Sequence, residues 1–387
     1  MPFNCTKASR TKLHKQINNR FSGSKSFTYT SARGALADFL LSIGLGENDE
    51  VLLSSFTCLA VPTAVIASGA RPTYCDIDPG SMNQTLETVL PAITSNTRVI
   101  IVQHTLGSVA EIQPIIEMAH KRDIIVVEDC ALSIGTVDNG KMVGTFGDAA
   151  IFSMELSKTI SIGWGGILII NNSDMVASLS KRYKNHKILP LYSRLQMAIQ
   201  TAISGFCYHP NIYFFGRFCV ALLFKIRFFN RSTPDSEYTG EIANNFISKL
   251  GNPQVQLAIH QWKRLDKIAN SCMVNGQSII KLLEENGYQA LGTFNKNERT
   301  VSPRVPFLIN DRKSIMEWFH KRNLELGSWF DGPLSPLPKS AIFNYIPEDF
   351  PQSLSLSKHI VNIPCHNRLT SKDLNKIKSN LENYSKK

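Results

Sequence analysis

One acid and one lysine lie between two apolar, strand-like runs of the chain. Asp129 stands just after the first run, Ile124–Val127, and Lys158 precedes a glycine-rich stretch that leads into the second run, Ile167–Ile170. In open α/β sheets, ligands bind outside the carboxyl ends of the strands. The position of Asp129 therefore predicts a ligand site at the end of its strand.

A lysine and a carboxylate are the two groups that pyridoxal 5'-phosphate (PLP) chemistry needs from a protein. The lysine holds the cofactor aldehyde as a Schiff base, and the carboxylate keeps the pyridine nitrogen protonated so that the ring accepts electrons. A lysine becomes nucleophilic when its surroundings lower its pKa. Taken alone, the pair also has a simpler interpretation, in which Asp129 caps a turn and Lys158 is a solvated surface lysine.

A helix-like pattern with small residues at its start lies near the beginning of the chain. Thr30–Leu36 opens the apolar run ALADFLLSIGL. Backbone N–H groups at such a start can approach an anion, and the helix dipole favours a phosphate there. Ser31 and Ala32 are therefore candidate phosphate ligands, with an ordinary helix N-cap as the alternative.

Strand-like and helix-like segments then alternate up to the acid. The strand-like segments are Val51–Leu53, Pro72–Ile77 and Thr97–Gly107, and the helix-like ones are Val61–Ser68 and Ile112–Arg122. Such an alternation is typical of βαβ units. It predicts a mainly parallel sheet.

Four motifs follow one another in the segment that holds the acid and the lysine. They are Glu128-Asp129-Cys130-Ala131, Gly147-Asp148-Ala149-Ala150-Ile151-Phe152-Ser153, Lys158 and Gly165-Gly166. Together they resemble the DegT-type sugar aminotransferase family of fold-type-I PLP enzymes. The resemblance implies an α/β, three-layer PLP transferase fold with a mainly parallel central sheet. We predict a large PLP-binding domain at residues 1–245 and a smaller C-terminal α+β domain at 246–387.

The same resemblance implies roles for single residues. Lys158 is expected to be the Schiff-base lysine, Asp129 the partner of the pyridine nitrogen and Ser153 a phosphate ligand. The phrase SARGAL contains Ser31 and Ala32. It is similar to the family's SGRxAL phrase, which binds the cofactor phosphate.

Two positions depart from the family pattern, and a third matches it loosely. Cys58 stands where many relatives place an aromatic residue that stacks on the cofactor ring. Leu132 stands where many relatives carry Gln or His, and leucine can pack on the ring but cannot form a hydrogen bond. Asn245 is the candidate for the asparagine that, in relatives, reaches the phosphate of the neighbouring subunit's cofactor, although its spacing to the following helix differs by about two residues. All three are candidate cofactor contacts, with a plain loop as the alternative for Asn245.

Composition agrees with a globular enzyme. The chain has 387 residues, of which 43% are apolar and 19% charged, enough to bury a large core in two domains. Its eight cysteines are scattered without a CxxC pair, which argues against a zinc site and a disulfide framework and favours a reducing compartment. The N-terminus is basic and polar without an apolar signal core. We therefore expect a cytoplasmic protein.

Much of the net charge of +11 lies in one segment, residues 181–234, which we interpret as an insertion in the large domain. Nine basic residues and no acidic ones occur between Asp174 and Asp235. The apolar run Ile212–Phe229 contains charged residues, and each central charge in a membrane span costs roughly 2.5–3.5 kcal/mol. Binding to an anionic membrane surface is one interpretation. Packing against the chain's own domain or in a dimer interface is the other, and nucleic-acid binding lacks a motif.

The resemblance implies a ping-pong transamination in surface-glycan or aminosugar biosynthesis. An amino donor, glutamate or glutamine, would pass its amino group through PLP to a nucleotide-linked ketosugar, in a homodimer with shared active sites. Three rival hypotheses have weight. A PLP-dependent sugar dehydratase on this fold replaces the lysine with histidine, so Lys158 argues against it. A relative that binds PLP without turnover and a peripheral membrane protein are the other two.

Overall fold

The computed structural model of the chain describes residues 7–21, 23–208, 212–226, 228–292 and 298–385. The helices are α1 (Lys7–Asn18), α2 (Ala32–Ser42), α3 (Ala60–Ala67), α4 (Leu86–Val89), α5 (Ile112–His120), α6 (Val176–Asn185), α7 (Leu191–Cys207), α8 (Tyr213–Lys225), α9 (Asn252–Lys263), α10 (Leu265–Glu285), α11 (Arg312–His320), α12 (Pro351–His359) and α13 (Ser371–Ser385). The strands are β1 (Lys25–Tyr29), β2 (Glu50–Ser54), β3 (Thr57–Cys58), β4 (Arg71–Cys75), β5 (Thr97–Gln103), β6 (Ile125–Asp129), β7 (Val137–Asp138), β8 (Lys141–Met142), β9 (Ala149–Ser153), β10 (Gly166–Ile170), β11 (Arg304–Leu308), β12 (Leu334–Ser335) and β13 (Ile360–Pro364).

A seven-stranded sheet with the order β1-β10-β9-β6-β5-β2-β4 forms the centre. From β9 to β4 each neighbouring pair is parallel, whereas β10 runs antiparallel to β1 and β9. The predicted, mainly parallel sheet is therefore confirmed. Because β6 and β9 are parallel neighbours, their last residues, Asp129 and Ser153, lie at the same edge of the sheet.

Helices cover both faces of this sheet, because alternate residues of each strand point to opposite sides. Leu53 and Val127 pack in a core with residues of α2 and α3. Their neighbours along the chain, Leu52 and Val126, pack in another core with residues of α5. This arrangement is the predicted three-layer α/β fold.

A smaller core lies in the C-terminal part of the chain. The strands β11 and β13 form an antiparallel pair, and Val305 and Ile363 on these strands pack with residues of α10, α11 and α13. These elements form an α+β unit, as predicted. The division between two domains at residue 245 stays a prediction.

The basic segment contains the helices α7 and α8, which pack on each other. A Cβ at Gly216 of α8 would lie 1.8 Å from the carbonyl oxygen of Cys207, so glycine allows this close approach of the two backbones. Arg217 of α8 forms an ion pair with Glu325, so the segment also contacts the C-terminal unit of its own chain. Within the described ranges, we find no helix with both the length and the apolarity to cross a bilayer.

Candidate active site

Lys158 lies in the connection between β9 and β10, and its side chain is half-buried. Its backbone N–H donates to the carbonyl of Glu155 at 3.1 Å, and its Nζ lies 4.9 Å from the ring centroid of Trp329. Burial lowers the pKa of the Lys158 amine, with the charge of Glu155 as the strongest opposing effect. A lowered pKa favours the neutral, nucleophilic amine that a Schiff-base lysine requires.

Asp129 is the last residue of β6 and is buried. Its Oδ1 accepts a hydrogen bond of 2.9 Å from the N–H of Ala131, and its backbone carbonyl accepts one of 3.1 Å from the N–H of His104. Burial raises the pKa of the carboxyl group, and the positive charge of Lys158 opposes that effect. The two predicted reactive groups therefore lie near enough to act on each other's pKa.

The predicted phosphate ligands meet at the start of α2. Ser31 is the N-cap, and its Oγ accepts from the N–H of Gly34 at 3.0 Å. The first residue of β10, Gly166, pairs with Ser153 at the end of β9, and a Cβ at Gly166 would lie 2.3 Å from backbone atoms of Ser31 and Ala32. The glycine thus lets the helix start lie directly against the sheet edge, where Ser31, Ala32 and Ser153 come together.

Asn245 lies beside the same helix start, in its own chain. Its backbone carbonyl accepts a hydrogen bond of 2.5 Å from Thr30 Oγ1, and the next carbonyl, of Phe246, accepts from Ser31 Oγ at 3.3 Å. The side-chain Oδ1 of Asn245 is buried, and no donor from the described residues reaches it. Its predicted contact with a neighbouring subunit's cofactor stays a prediction.

An apolar cluster forms another side of the site. Leu132 is buried in it together with Phe56 and Phe330, and the half-buried Cys58 and Trp329 pack against it. Burial raises the pKa of the Cys58 thiol, while the charges of Arg33 and Lys158 act in the opposite direction. The two residues that depart from the family pattern therefore share one cluster near Lys158.

A buried charge network connects the helix start with Lys158. Arg33 of α2 forms ion pairs with Glu237 and Glu155, and it contributes to the lowered pKa of Lys158. Sequence reasoning missed Arg33 although it lies inside the SARGAL phrase, because its acidic partners are distant in the chain. It also missed Trp329, for which the sequence gives no signal.

His104 and Glu128, which flank the site, have structural roles. His104 Nε2 lies 3.0 Å from Glu128 Oε2, and Glu128 accepts three further hydrogen bonds from the backbone N–H groups of Gly144, Phe146 and Gly147. These contacts fix the loop before β9 against the end of β6. They hold in place the strand that carries Asp129.

A sequence model of the DegT/DnrJ/EryC1/StrS aminotransferase family matches residues 10–207 and 221–382 of this chain. The chain belongs to this family. The family membership that the motifs around Lys158 predicted is therefore confirmed.

Two curated relatives and one solved structure illustrate the similarity. GDP-perosamine synthase of Vibrio cholerae is 33% identical over 162 residues, which is 42% of this chain and 44% of the relative. UDP-N-acetyl-3-dehydro-alpha-D-glucosamine 3-aminotransferase of Acidithiobacillus ferrooxidans is 35% identical over 157 residues, which is 40% of this chain and 42% of the relative. The chain thus spans less than half the length of these relatives. The structure of NtdA of Bacillus subtilis, solved with the cofactor PMP bound, is similar to this chain with a TM-score of 0.75 at 18% identity. The superposition covers 100% of this chain and 78% of NtdA, and it shows a similarity of fold.

Aminotransferases of the DegT family depend on PLP, which confirms the cofactor that the sequence predicted. The residues present fit this group. A half-buried amine with a lowered pKa lies near a buried carboxyl group, and the start of α2 offers N–H groups beside the hydroxyls of Ser31 and Ser153. The roles of the single residues stay predictions.

Proposed function

We propose that this chain is a PLP-dependent aminotransferase that transfers an amino group from glutamate or glutamine to a nucleotide-linked ketosugar. One observation carries the proposal: in a chain of this family, the amine of Lys158 has a lowered pKa and lies near the buried carboxyl group of Asp129. Asp129 ends β6 and Lys158 follows β9, and the carboxyl ends of these two parallel strands lie at one edge of the sheet. This is the edge at which open α/β sheets bind ligands.

Each group in the site has a defined part in such a reaction. When bound, PLP supplies an electron sink for negative charge at the carbon that bears the amine. Lys158 Nζ would hold the cofactor aldehyde, and after a donor amine has taken its place, the free amine moves a proton as a general base. The Asp129 carboxylate would hold a proton at the pyridine nitrogen. The start of α2, with Ser31 and Ala32, and the hydroxyl of Ser153 would bind the phosphate.

The nature of the acceptor is inferred from the relatives. Both curated relatives are named for nucleotide-linked sugars, and one of them for the amination of a dehydro sugar. We infer a nucleotide-linked ketosugar and a place in surface-glycan or aminosugar biosynthesis. We also propose a homodimer, because no donor among the described residues reaches the buried Oδ1 of Asn245 at the helix start, and a donor from a second copy would satisfy it.

An absorbance experiment tests the aminotransferase function. The protein is loaded with PLP, and its spectrum is recorded before and after addition of excess glutamate or glutamine. We expect a Schiff-base band that the donor converts to the pyridoxamine form, and we expect Lys158→Ala to lack the band. Lys249→Ala is the matched control, because Lys249 also lies over an aromatic ring, 5.0 Å from that of Tyr183, and burial lowers its pKa too.

The possible results separate the hypotheses. A band that forms but that neither donor converts would favour a relative that binds PLP without turnover. A band that persists in Lys158→Ala, or that is absent from the wild type, would show that the assignment of Lys158 is wrong. Loss of the band in Lys249→Ala as well would point to a general effect of lysine removal.

A second function, attachment to an anionic membrane surface, is supported by the exposed face of α7 and α8. Phe206, Phe215 and Phe218 are each about 70% exposed, and Lys225 and Arg231, which follow them in the chain, are exposed as well. Exposed aromatic residues next to cations suit the interface of a bilayer with acidic headgroups. The sequence also suggested Arg227 for this role, but it lies outside the described residues.

Vesicle co-sedimentation tests this attachment. The protein is mixed with phosphatidylcholine vesicles with and without phosphatidylserine. We expect binding that needs the acidic lipid and that is lost in Lys225→Gln/Arg231→Gln but kept in Lys121→Gln/Arg122→Gln, which neutralises two exposed cations after α5. Equal vesicle binding of the two charge variants would contradict this attachment. A change of oligomeric state without vesicles in Phe215→Ser would instead make this face a contact between copies.

A further inference from the structure

Arg304 carries a charge for which the described part of the chain supplies no acidic partner within ion-pair distance. It is the first residue of β11, and its side chain is half-buried. Burial lowers the pKa of the guanidinium, and the phenol of Tyr213 acts against that effect. Withdrawing a cation from water without an acid is unfavourable. An anion from outside the chain would remove this cost.

The guanidinium of Arg304 packs directly against the backbone of Gly327, which has no side chain at that point. A Cβ at Gly327 would lie 2.1 Å from Arg304 Nη1, so a larger residue would displace the guanidinium. Gly327 exchanges two backbone hydrogen bonds of 2.7 and 2.9 Å with Asn362. The side chain of Asn362 donates to the carbonyl of Trp329 at 2.8 Å and accepts from its N–H at 2.9 Å. The ring of Trp329 is thereby held beside Arg304, whose Cζ lies 4.6 Å from the ring centroid.

Glu325, an acid of the same corner, already has partners. It pairs with Arg217 of α8, and its Oε1 lies 2.9 Å from His320 Nδ1. Burial raises the pKa of the Tyr213 phenol, and the charge of Glu325 acts in the same direction. The charges of Arg217 and Arg304 act in the opposite direction. A neutral phenol does not neutralise Arg304. The charge of Arg304 therefore stays available to a ligand.

Arg304 and the reactive lysine lie over the same ring. Lys158 Nζ is 4.9 Å from the centroid of the Trp329 ring, and Arg304 Cζ is 4.6 Å from the same centroid. The distance between Lys158 Nζ and Arg304 Cζ therefore cannot exceed the sum of these two values. We propose that Arg304 binds a carboxylate of the amino donor while the donor's amino group lies at Lys158. The planar guanidinium suits this task because it can donate two parallel hydrogen bonds to a carboxylate. This inference rests on the proposed aminotransferase function.

A phosphate of a nucleotide-sugar acceptor has similar oxyanion chemistry, but its position fits less well. In such an acceptor, part of the sugar ring separates the diphosphate from the carbonyl carbon that reacts. In an α-amino acid, the carboxylate is attached directly to the carbon that bears the amine. The short path from Lys158 to Arg304 across a single ring therefore favours the donor.

Calorimetric titration with glutarate, an unreactive dicarboxylate, tests the proposal in the PLP-loaded protein. We expect Arg304→Gln to weaken glutarate binding by about 10- to 100-fold, the loss of hydrogen bonds to a charged group. Arg304→Lys should bind glutarate with intermediate affinity, because lysine keeps the positive charge but cannot donate two parallel hydrogen bonds to one carboxylate. Arg322→Gln is the matched control, since Arg322 also lies over a tryptophan, 3.3 Å from the ring centroid of Trp318, and has an exposed side chain. UDP binding should not change in any variant.

The outcomes are distinct for the two proposals. Unchanged glutarate binding in Arg304→Gln would overturn the assignment, and so would loss of UDP binding with glutarate binding retained, which would give the anion site to the acceptor. Glutarate binding that depends on Arg304 supports the carboxylate site even if glutamate never converts the wild-type cofactor. That last result would reject only the aminotransferase function. Circular dichroism of each variant confirms that it has folded.

Discussion

Replacing Arg33 by methionine tests the buried charge network that joins α2 to the end of the basic segment. Arg33 Nη1 contacts both carboxylate oxygens of Glu237, and the two side chains are 6% and 0% exposed. Arg33 Nη2 also lies 3.4 Å from Glu155 Oε1. Methionine keeps much of the volume of the arginine stem but removes the charge. The variant therefore leaves the carboxylate of Glu237 buried without its cation.

We expect this change to lower the free energy of unfolding by about 3–5 kcal/mol, the usual cost of removing one partner from a buried ion pair. Burial raises the pKa of Glu237 even with Arg33 present, and losing the cation raises it further. The folded variant then binds more protons than the unfolded chain at pH values above the unfolded pKa of about 4.3. Stability falls as pH rises through that window. The loss should therefore be larger at neutral pH than near pH 5.

Urea unfolding of four proteins measures the effect: the wild type, Arg33→Met, Glu237→Gln and the double variant. In the double variant the fully buried carboxylate of Glu237 is gone, so we expect it to be more stable than Arg33→Met alone. The coupling between the two sites should be a large part of the single loss, because they are in direct contact. A loss below about 1 kcal/mol in Arg33→Met, far from the expected range, or strictly additive effects would refute the reasoning.

Three other changes probe the sheet edge, the N-terminal helix and the acid of the site. Gly166→Ala should lower the free energy of unfolding by about 1–3 kcal/mol and weaken PLP binding, because its Cβ would overlap the start of α2. Urea unfolding and titration with PLP measure the two effects. Gly205→Ala is the control in both, because the space around Gly205 is open. Burial lowers the pKa of His14 to about 4, so up to about 3 kcal/mol of stability should be lost as pH falls from about 6.5 to 4. Urea unfolding across that range should show no such slope in His14→Gln. Asp129→Asn should keep the Schiff-base band of Lys158 but slow its conversion by glutamate about 10²–10³-fold in stopped-flow absorbance, the effect of losing one electrostatic stabiliser.

Short contiguous patterns allowed the sequence to predict the sheet and its reactive edge. A buried parallel strand is a nearly continuous apolar run, so β6 and β10 could be located to within one or two residues. Asp129 was placed just after its strand and is in fact the last residue of β6. Ser153 was singled out because it is the last residue of a motif, and that motif includes the whole of strand β9.

Contacts between distant parts of the chain could not be predicted in this way. Arg33 and Glu237 are 204 residues apart, and neither stands in a periodic pattern that would pair them. Trp329 and Arg304 come from a loop and a strand of the C-terminal unit, and only the tertiary fold brings them to Lys158. Local patterns determine the strands and helices, whereas the pairing of single charged and aromatic side chains follows from how those elements pack.

The two departures from the family pattern are best explained together. Cys58 and Leu132 belong to the cluster that also holds Phe330 and Trp329, so a change at one position affects the packing of the others. The resemblance predicts that many relatives carry an aromatic residue at the position of Cys58, whereas here the ring of Trp329 lies beside Lys158 from another part of the chain. Restoring Gln at position 132 alone would bury an amide among apolar side chains, at a cost of about 1–3 kcal/mol. We infer that Leu132 and the loop that carries Trp329 are matched to each other, so single reversions toward the family pattern should lower the free energy of unfolding.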